Sequence, residues 1–470
     1  MNLDLLYETV ENVEFFCDNN DPDKFYAQFK NNEGKIEFVP VDSKRFRGFL
    51  CKASYENPNT DEVLDPNAAV KSLYFLLSYE GSFEYTDVFN RTSGNLRDGI
   101  EYDLQQRDQT TVHVTCDGWH LASKTRKFVT SDTNLPQVKP KETTKSPLEL
   151  LRPFVNITGD SYIIFVVWLI QSFTRGNHHA LLIFAERGSG KSCLSNLISQ
   201  IISPSKCNIT RLSERIDDIR VLLNSSLLCC FDNVSTIRDD VSDLFCGAVT
   251  GTSMVKRSLY TDSDTSISTL HNIIVINGIG VVPEREDLAE RMLILKLKKL
   301  KSDNIKPESE LWEDFYNMLP EILGAIFNTL AKAMNEIGTI KVKDAPRMID
   351  SYIELLAIAK ALGITEEDFA KMYADNKNLL EQTRADSPIV SAIREYMATV
   401  PGRKVTGSAQ QIYTEVFNNY SGDKALLPRS ASHFNHALDN EHSNLLKAGY
   451  RANIDNTGAK GTVITIIKKK

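Results

Sequence analysis

The stretch LLIFAERGSGKS, residues 181–192, decides the fold, because an apolar run ends there in small residues and a lysine. It matches the phosphate-loop pattern G-x-x-x-x-G-K-[ST], with Ala185 at the position of the first glycine. Residues 179–185 read as a buried strand and residues 191–202 as the helix that follows it, which is the context such a loop requires. The predicted cofactor-binding residues are Ala185, Glu186, Arg187, Gly188, Ser189, Gly190, Lys191, Ser192 and Cys193.

The chemistry of this loop predicts ATP and Mg²⁺ as cofactors. Backbone N–H groups of residues 186–191 would surround the β-phosphate at a helix N-terminus. Lys191 would bridge the β- and γ-phosphates, and the Ser192 hydroxyl would hold the metal ion. A second strand-like run, residues 227–231, ends directly before Asp232, where the metal needs its second ligand. We therefore expect Ser192 and Asp232 to be the metal ligands.

Two later positions are candidates for catalysis. Asn277 ends a third strand-like run, residues 271–279, and would position the attacking water; the alternative is a strand-end cap. Arg285 and Arg291 flank a short helix, and Arg291 has no evident partner in its own chain. We expect Arg291 to stabilise charge on the γ-phosphate of a neighbouring subunit; the alternative is a surface ion pair.

Composition bounds the class of protein. A chain of 470 residues with 42% hydrophobic and 25% charged residues predicts two to four globular domains. The formal net charge of −8 excludes a protein coated with positive charge for DNA, although it leaves room for a local basic patch. The longest apolar run, residues 162–170, is far short of a membrane span. With no basic leader and no C-x-x-C pair among 8 cysteines, we expect reduced thiols in a cytoplasmic protein.

Periodicity and composition divide the chain into five segments. Strands alternate with helices after residue 148, which predicts an α/β fold with a parallel sheet. The polar, proline-containing residues before that point read as a linker. The predicted segments are an N-terminal α+β module (1–130), the linker (131–147), a P-loop ATPase core (148–300), a helical subdomain (301–386) and a winged-helix domain (387–470).

Five segments of the core occur in an order that resembles a known family. They are AERGSGKS, CCFDNVS, TGTSMVKRSLYTDSD, IVINGI and REDLAER. The chain resembles AAA+ ATPases close to superfamily 3 helicases, as found in replication proteins of phages and integrative elements and in staphylococcal-cassette, minichromosome-maintenance-like helicases. The resemblance implies an AAA+/superfamily 3-like fold, ATPase activity, DNA translocation and a homo-hexameric ring. It assigns the phosphate loop to Lys191 and Ser192, the metal residue to Asp232, the first sensor to Asn277 and the arginine finger to Arg291.

One position departs from the family pattern. Such helicases usually place an acidic residue directly after the metal aspartate, to polarise the attacking water, and here that residue is Asn233. An amide cannot accept a proton, although it can orient a water molecule. We expect hydrolysis; slow hydrolysis and binding without turnover both stay open as alternatives.

Candidate DNA contacts come from two places. The interval between Asp232 and Asn277 corresponds, by the resemblance, to a hairpin that projects into the channel of the ring. The C-terminal segment predicts three helices and a two-stranded wing, with the third helix formed by residues 428–449. A solvated surface hairpin and a protein-docking winged helix are the respective alternatives. The predicted contacts are Lys256, Arg257 and Tyr260 in the hairpin, and Arg429, His433 and Lys460 in the winged helix.

The sequence thus predicts an ATP-dependent DNA translocase that acts in replication of a phage or mobile element. DNA is the expected partner, single-stranded in the ring channel and duplex at the winged helix. A primase or another replication protein is a further expected partner, and the N-terminal module would recruit it or recognise an origin. Two alternatives remain: an ATP-binding initiator that marks an origin with little hydrolysis, and an ATP-dependent scaffold or defence factor without DNA contact.

Overall fold

The computed structural model defines the backbone over most of the chain. It describes residues 2–58, 60–185, 188–251, 253–257, 265–278, 283, 285–298, 307–342, 345–385, 387–422, 424, 427–456 and 462–469. In residues 253–257 and 265–268 it describes the backbone alone. No helix of the described residues is long and apolar enough to cross a membrane.

The first part of the chain has its own hydrophobic core. Its elements are α1 (Leu3–Val10), β1 (Glu14–Asp18), β2 (Asp21–Lys30), β3 (Ile36–Pro40), α2 (Lys44–Tyr55), α3 (Pro66–Glu80) and β4 (Glu84–Thr86). The strands form one sheet in the order β3-β2-β1-β4. Apolar residues of α1, α2 and α3, among them Leu6, Leu50 and Leu73, form one hydrophobic cluster with Phe25 of this sheet. Residues 2–86 are therefore a compact α+β unit, which we call the N-terminal unit.

The following strands pack into the main core. They are β5 (Val88–Phe89), β6 (Thr92–Asn95), β7 (Gly99–Asp103), β8 (Thr110–Thr115), β9 (Gly118–Ser123) and β10 (Lys127–Phe128). Strands β6 to β9 form an antiparallel sheet, whose inward residues Tyr102 and Val112 belong to the same apolar cluster as Trp168 and Phe327. The boundary predicted at residue 130 thus does not separate two hydrophobic cores.

A five-stranded parallel sheet forms the centre of the molecule. Its elements and their neighbours are α4 (Pro147–Leu150), α5 (Asp160–Gln171), β11 (Ala180–Ala185), α6 (Lys191–Ile202), β12 (Thr210–Arg211), α7 (Ile216–Ser225), β13 (Leu228–Asp232), α8 (Asp239–Thr250), β14 (Ser253–Arg257), β15 (Thr265–Thr269), β16 (Ile273–Gly278), α9 (Glu286–Ala289) and β17 (Met292–Leu297). The sheet order is β12-β13-β16-β11-β17, with every pair parallel. The predicted parallel sheet is confirmed.

The central strands are apolar throughout because both faces of the sheet are covered. Leu181 and Ile183 of β11 face the cluster that contains α5 and α6, whereas Leu182 faces the cluster that contains α7 and α8. The helices α10 (Glu308–Glu336), α11 (Ile349–Ala361) and α12 (Glu366–Ala385) follow. Helices α10 and α11 close the first of these clusters, and Leu380 of α12 reaches the second.

The segment predicted as a linker is an extended strap held by backbone hydrogen bonds. Leu135 N donates to Pro204 O at 2.8 Å, and Lys141 N donates to Pro320 O at 2.8 Å. Gln137 Nε2 donates to Gln200 O and Ile201 O at the C-terminus of α6, at 2.9 and 3.0 Å. The strap therefore satisfies the last carbonyl groups of the helix whose first turn follows the predicted phosphate loop.

The C-terminal part differs in detail from the predicted three helices and two strands. Its elements are α13 (Pro388–Thr399), β18 (Lys404–Ser408), α14 (Ala409–Asn419), α15 (Ala431–Asn440), α16 (His442–Lys447), β19 (Tyr450–Asn456) and β20 (Thr462–Lys468). Strand β18 pairs with β20 to make a three-stranded sheet, β18-β20-β19. The predicted third helix is two helices, because Glu441 leaves the helical conformation and its carboxylate accepts from Asn444 Nδ2 at 2.6 Å.

Asn376 of α12 forms hydrogen bonds with the backbone of the outermost strand of the sheet. Its Oδ1 accepts from Ile294 N at 3.0 Å, and its Nδ2 donates to Ile294 O at 2.8 Å. Strand β17 is the last strand of the sheet, so this side of it has no neighbouring strand. The asparagine is buried, and so are the backbone groups that it serves.

We expect Asn376→Leu to lower the free energy of unfolding by about 2–3 kcal/mol, because two buried backbone groups lose their partners. The midpoint of urea unfolding, followed by circular dichroism, measures the effect. Asn378→Leu is the matched control: this asparagine is exposed on the same helix, and its replacement should change stability by less than about 0.5 kcal/mol. Equal effects of the two substitutions would contradict the edge-capping role.

Glu354 of α11 is a half-buried carboxyl group whose hydrogen-bond donors are neutral. It accepts from Gln171 Nε2 at 3.1 Å and from Thr174 Oγ1 at 2.9 Å. Burial raises the pKa of Glu354 from 4.5 to about 7, against the smaller opposing effect of these two hydrogen bonds. The folded protein therefore holds this proton more tightly than the unfolded chain does.

The contribution of Glu354 to stability is accordingly complete below pH 4.5 and is lost as the pH rises through 7. We expect wild type to lose up to about 3 kcal/mol relative to Glu354→Gln between pH 5 and pH 8. The difference between the two proteins is the quantity to measure. Lys377, whose pKa is lowered to about 7 by desolvation, titrates in the same pH range with the opposite effect on stability, and it is common to both proteins. Glu367→Gln, at an exposed position of α12, should run parallel to wild type.

Candidate functional site

Strand β11 ends at Ala185, and helix α6 begins at Lys191 after a loop with left-handed glycines. Gly188 has φ 74° and Gly190 has φ 84°, a region that glycine enters without steric cost. Gly190 is the N-cap of α6, and no described side chain caps the helix there. The first turn of α6 thus presents backbone N–H groups beside the loop, which suits an anion. Glu186 and Arg187 lie outside the described residues.

The predicted phosphate-binding side chains lie at this helix start. Lys191 is 8% exposed, and its Nζ donates to Ala185 O at 3.0 Å, so the ammonium group folds back over the end of β11. Ser189 is buried, Ser192 is exposed and Cys193 is half-buried. A ligand phosphate would take Lys191 from the carbonyl of Ala185, since a charged acceptor binds an ammonium more strongly than a neutral one.

Ser192 and Asp232 meet across the carboxyl edge of the sheet. Ser192 Oγ donates to Asp232 Oδ1 at 3.1 Å, and its distance to Oδ2 is 3.4 Å. One hydroxyl and one carboxylate are oxygen donors of the kind that Mg²⁺ prefers. The pair fits a divalent ion held by few protein ligands and completed by substrate oxygens. No group of three or more His, Cys, Asp or Glu side chains able to hold a metal occurs among the described residues.

Asn277 lies at the end of β16 and is fully buried. Its Oδ1 accepts from Asn233 N at 3.1 Å, and its Nδ2 donates to Ser195 Oγ at 2.8 Å. Its backbone carbonyl accepts from Val234 N at 3.0 Å. Both the oxygen and the nitrogen of the amide are therefore hydrogen-bonded inside the protein. These are the contacts expected if Asn277 caps the end of its strand, which was the alternative to positioning a water molecule. Asn277 orients the turn that follows Asp232.

Asn233 forms that turn, with φ 53°. Asparagine is one of the few residues besides glycine that adopt left-handed backbone readily. Its Nδ2 donates to Asp232 Oδ2 at 3.1 Å. The amide thus faces the predicted metal ligand and helps to hold its carboxylate in place.

The expectation that Arg291 lacks a partner in its own chain is wrong. Arg291 Nη1 lies 2.7 Å from Asp287 Oδ1, four residues earlier, and Arg347 also pairs with Asp287. The bond to Arg291 is the main cause that lowers the pKa of Asp287 to about 2. Arg285 pairs with Asp243 at 2.7 Å.

Arg291 also lies at the opposite edge of the sheet from Lys191. Its carbonyl accepts from Ala180 N, at the first residue of β11. At about 3.3 Å per residue, the two ends of this six-residue strand are about 17 Å apart. The guanidinium group therefore does not join the Lys191–Asp232 constellation of its own chain.

The predicted DNA contacts fall in two separate places. Lys256 and Arg257 end β14, where they pair with Ser266 and Thr265 of β15 in an antiparallel hairpin. Tyr260 and Lys460 lie outside the described residues, as do the side chains of Lys256 and Arg257. Arg429 and His433 are exposed at the start of α15, with His433 Nδ1 2.8 Å from Ser430 Oγ. Phe434 and Leu438 are buried on the other face of this helix.

Two residues of the site carry no sequence signal. Ser195, on the second turn of α6, fixes Asn277, and a serine inside a helical segment marks nothing by itself. Gln137 caps the far end of the same helix from the strap. Its partners are backbone carbonyls, which a sequence does not distinguish.

Residues 148–365 match the family model described as actinomycete integrative conjugative element replication protein. The matched segment contains the loop, Asp232, Asn277 and Arg291. The chain is thus similar, over this segment, to replication proteins of mobile elements. No curated protein matches it.

Solved structures show weak similarity over long spans. The apo C-terminal region of phage NrS-1 has a TM-score of 0.39 and 12% identity and covers 98% of each chain. A second apo structure of that region, residues 305–718, has a TM-score of 0.39 and 13% identity, with 99% of this chain and 98% of the other covered. A JCV helicase in complex with a small molecule has a TM-score of 0.26 and 14% identity, with 50% of this chain and 64% of the other covered. At these scores the similarities carry no argument about function.

Proposed function

We propose that this protein binds and hydrolyses ATP and acts on DNA during replication of a mobile element. The observation that carries the proposal is the meeting of Lys191, Ser192 and Asp232 at the carboxyl edge of a parallel sheet. Ligands of open parallel sheets bind beyond the carboxyl ends of the strands. The matched family model supports the link to replication.

The residues of the proposed site would have separate roles in ATP hydrolysis. The N-terminus of α6 and Lys191 would hold the phosphates, and Ser192 and Asp232 would hold Mg²⁺, which neutralises charge on the transferred phosphoryl group. Asn233, held by Asn277, would orient the attacking water with an amide rather than accept its proton. This division predicts hydrolysis without a side-chain base at position 233.

The position of Arg291 is compatible with a role at the ATP site of a neighbouring copy of the chain. The guanidinium group is remote from its own Lys191, so a part in hydrolysis requires a second chain, as in a homo-hexameric ring. Arg291 would have to exchange Asp287 for the γ-phosphate, and Arg347 would remain to balance that carboxylate. The hairpin of β14 and β15 and the exposed face of α15 are the proposed DNA contacts in this assembly.

ATP hydrolysis with and without single-stranded DNA tests the proposal. We expect Mg²⁺-dependent turnover that DNA raises by roughly 10-fold, since binding in the channel would order neighbouring subunits around each ATP. Chelation of Mg²⁺ with EDTA is the control and should abolish turnover. Turnover that DNA leaves unchanged would favour an ATP-dependent scaffold and would contradict a DNA motor.

A second candidate function is an ATP-binding switch that marks an origin. Asn233 favours it, because an amide stands where related helicases carry an acid, and its Nδ2 bonds to the metal ligand. Tight ATP binding without turnover, together with sequence-specific binding of duplex DNA, would support this candidate over the motor.

A further inference from the structure

The formal negative charge of the protein is concentrated in its first 85 residues. They contain 16 aspartates and glutamates against 8 lysines and arginines, which is a formal charge of −8, the charge of the whole chain. The remaining residues therefore sum to zero. An even distribution of charge along the chain would place less than a fifth of the net charge in these residues. The N-terminal unit is therefore acidic, whereas the rest of the chain has no net charge.

The same unit exposes large apolar side chains. Among the described residues, eight of the twelve exposed large hydrophobic residues belong to it, including five of the six aromatic ones. Tyr79 is 92% exposed, Tyr55 77% and Phe75 51%. Exposed aromatic side chains grouped on one unit mark interaction sites more often than single exposed residues do.

Two helices, α1 and α3, carry four of these eight side chains. Leu3 and Tyr7 are one turn apart on α1, and Phe75 and Tyr79 are one turn apart on α3. The helices are joined at this face, because Tyr7 Oη donates to Glu80 Oε1 at 2.7 Å. The inward faces, with Leu5, Leu6, Leu73 and Leu77, belong to the core of the unit. The outward residues are thus not needed to fill that core.

Carboxylates border these side chains. Asp4 and Glu8 are exposed on α1 beside Leu3 and Tyr7, Glu11 is exposed directly after that helix, and Glu80 follows Tyr79. Glu8 and Glu80 accept hydrogen bonds from the neutral Asn57 and Tyr7. Neither of these two bonds neutralises a carboxylate, so the surface combines aromatic anchors with negative charge.

We propose that this face of α1 and α3 docks a cationic amphipathic segment of another protein. Apolar side chains of the segment would pack on Tyr7, Phe75 and Tyr79, and its lysines or arginines would pair with the surrounding carboxylates. DNA does not fit, because its phosphates meet a surface of the same sign. A second copy of this chain offers no net positive complement, since the rest of the chain sums to zero. The inference does not rest on the nucleotide site.

Fluorescence anisotropy of a labelled synthetic peptide tests the docking surface on the full chain. The probe is an 18-residue amphipathic helix of lysine, arginine, leucine and tryptophan, and a scrambled peptide of the same composition is its control. We expect the double variant Phe75→Ser, Tyr79→Ser to bind the probe roughly 10-fold more weakly than wild type does. The triple variant Asp4→Asn, Glu8→Gln, Glu11→Gln should lose a similar factor in affinity for the probe. At high salt the triple variant should bind as tightly as wild type does, whereas the serine double variant should still bind more weakly than wild type.

Val221→Ser is the matched control, because Val221 is 69% exposed on α7, outside the N-terminal unit. Its affinity for the probe should equal that of wild type. The proposal is overturned if wild type does not bind the probe, if the serine double variant binds as tightly as wild type, or if the scrambled peptide binds equally well. Binding of single-stranded DNA that the aromatic substitutions abolish would replace the proposal with a nucleic-acid site.

Discussion

Lys191→Ala lowers ATP turnover by roughly 100-fold or more in the proposed ATPase, because it removes the cation nearest the predicted β- and γ-phosphates. The unfolding midpoint of the variant separates a loss of turnover from a loss of folded protein. The ammonium group donates to Ala185 O, at the mouth of the loop. That carbonyl lies at the end of β11, at the carboxyl edge of the sheet. Steady-state phosphate release measures the effect.

Lys206→Ala is the matched control for this substitution. Lys206 follows the other end of α6, and its side chain is exposed. We expect wild-type turnover from this variant and an unchanged unfolding midpoint from both. If Lys191→Ala hydrolyses ATP like wild type, the loop at residues 185–192 is not the site of turnover, and the proposed function fails with it.

Asp232→Asn is expected to reduce Mg²⁺-dependent hydrolysis by about 100- to 1,000-fold, since it removes the only charged ligand of the proposed metal pair. The substitution keeps the shape of the side chain, and Ser192 Oγ can still donate to the amide oxygen. Hydrolysis measured across a range of Mg²⁺ concentrations separates the effects. If Asp232 binds the metal ion, the residual activity of the variant should require a far higher Mg²⁺ concentration than wild type does. If Asp232 has only a structural role, the dependence on Mg²⁺ should be unchanged.

Asn233→Asp, at the next residue, tests whether hydrolysis lacks a side-chain base. An aspartate accepts a proton where the asparagine cannot, and it tolerates the left-handed backbone of this position, with φ 53°. If turnover is slow because the base is missing, this variant should be faster than wild type by roughly 10-fold or more. A slower variant would instead indicate that the Nδ2 of Asn233, bonded to Asp232, is what the site requires.

The sequence predicted the centre of this site because its signals are local. The loop pattern, the strand before it and Asp232 at the end of another strand are all visible in short stretches of apolar and polar residues. The order of the strands is not local, and neither is the contact between Asn277 and Asn233, which lie 44 residues apart. Such contacts become visible only when parallel strands bring their carboxyl ends together.

Other differences have physical causes of their own. Strand β18 carries one aliphatic residue, Val405, and alternates between exposed and half-buried positions, so its apolar signal is weak. The break at Glu441 falls inside a run whose buried residues Phe434, Leu438 and Leu445 keep a helical spacing on either side of it. Asp287 and Arg291 are opposite charges four residues apart, a spacing that favours an ion pair, and they pair although α9 ends at Ala289.

The strap along residues 131–146 limits where this protein can be divided. A fragment beginning at residue 148 would lack Gln137, and the C-terminus of α6 would lose two hydrogen-bond donors. It would also lack Tyr102, whose hydroxyl donates to Ile202 O at 2.8 Å. A junction upstream of β5 would instead leave the strap and the β6–β9 sheet with the parallel sheet whose core they share.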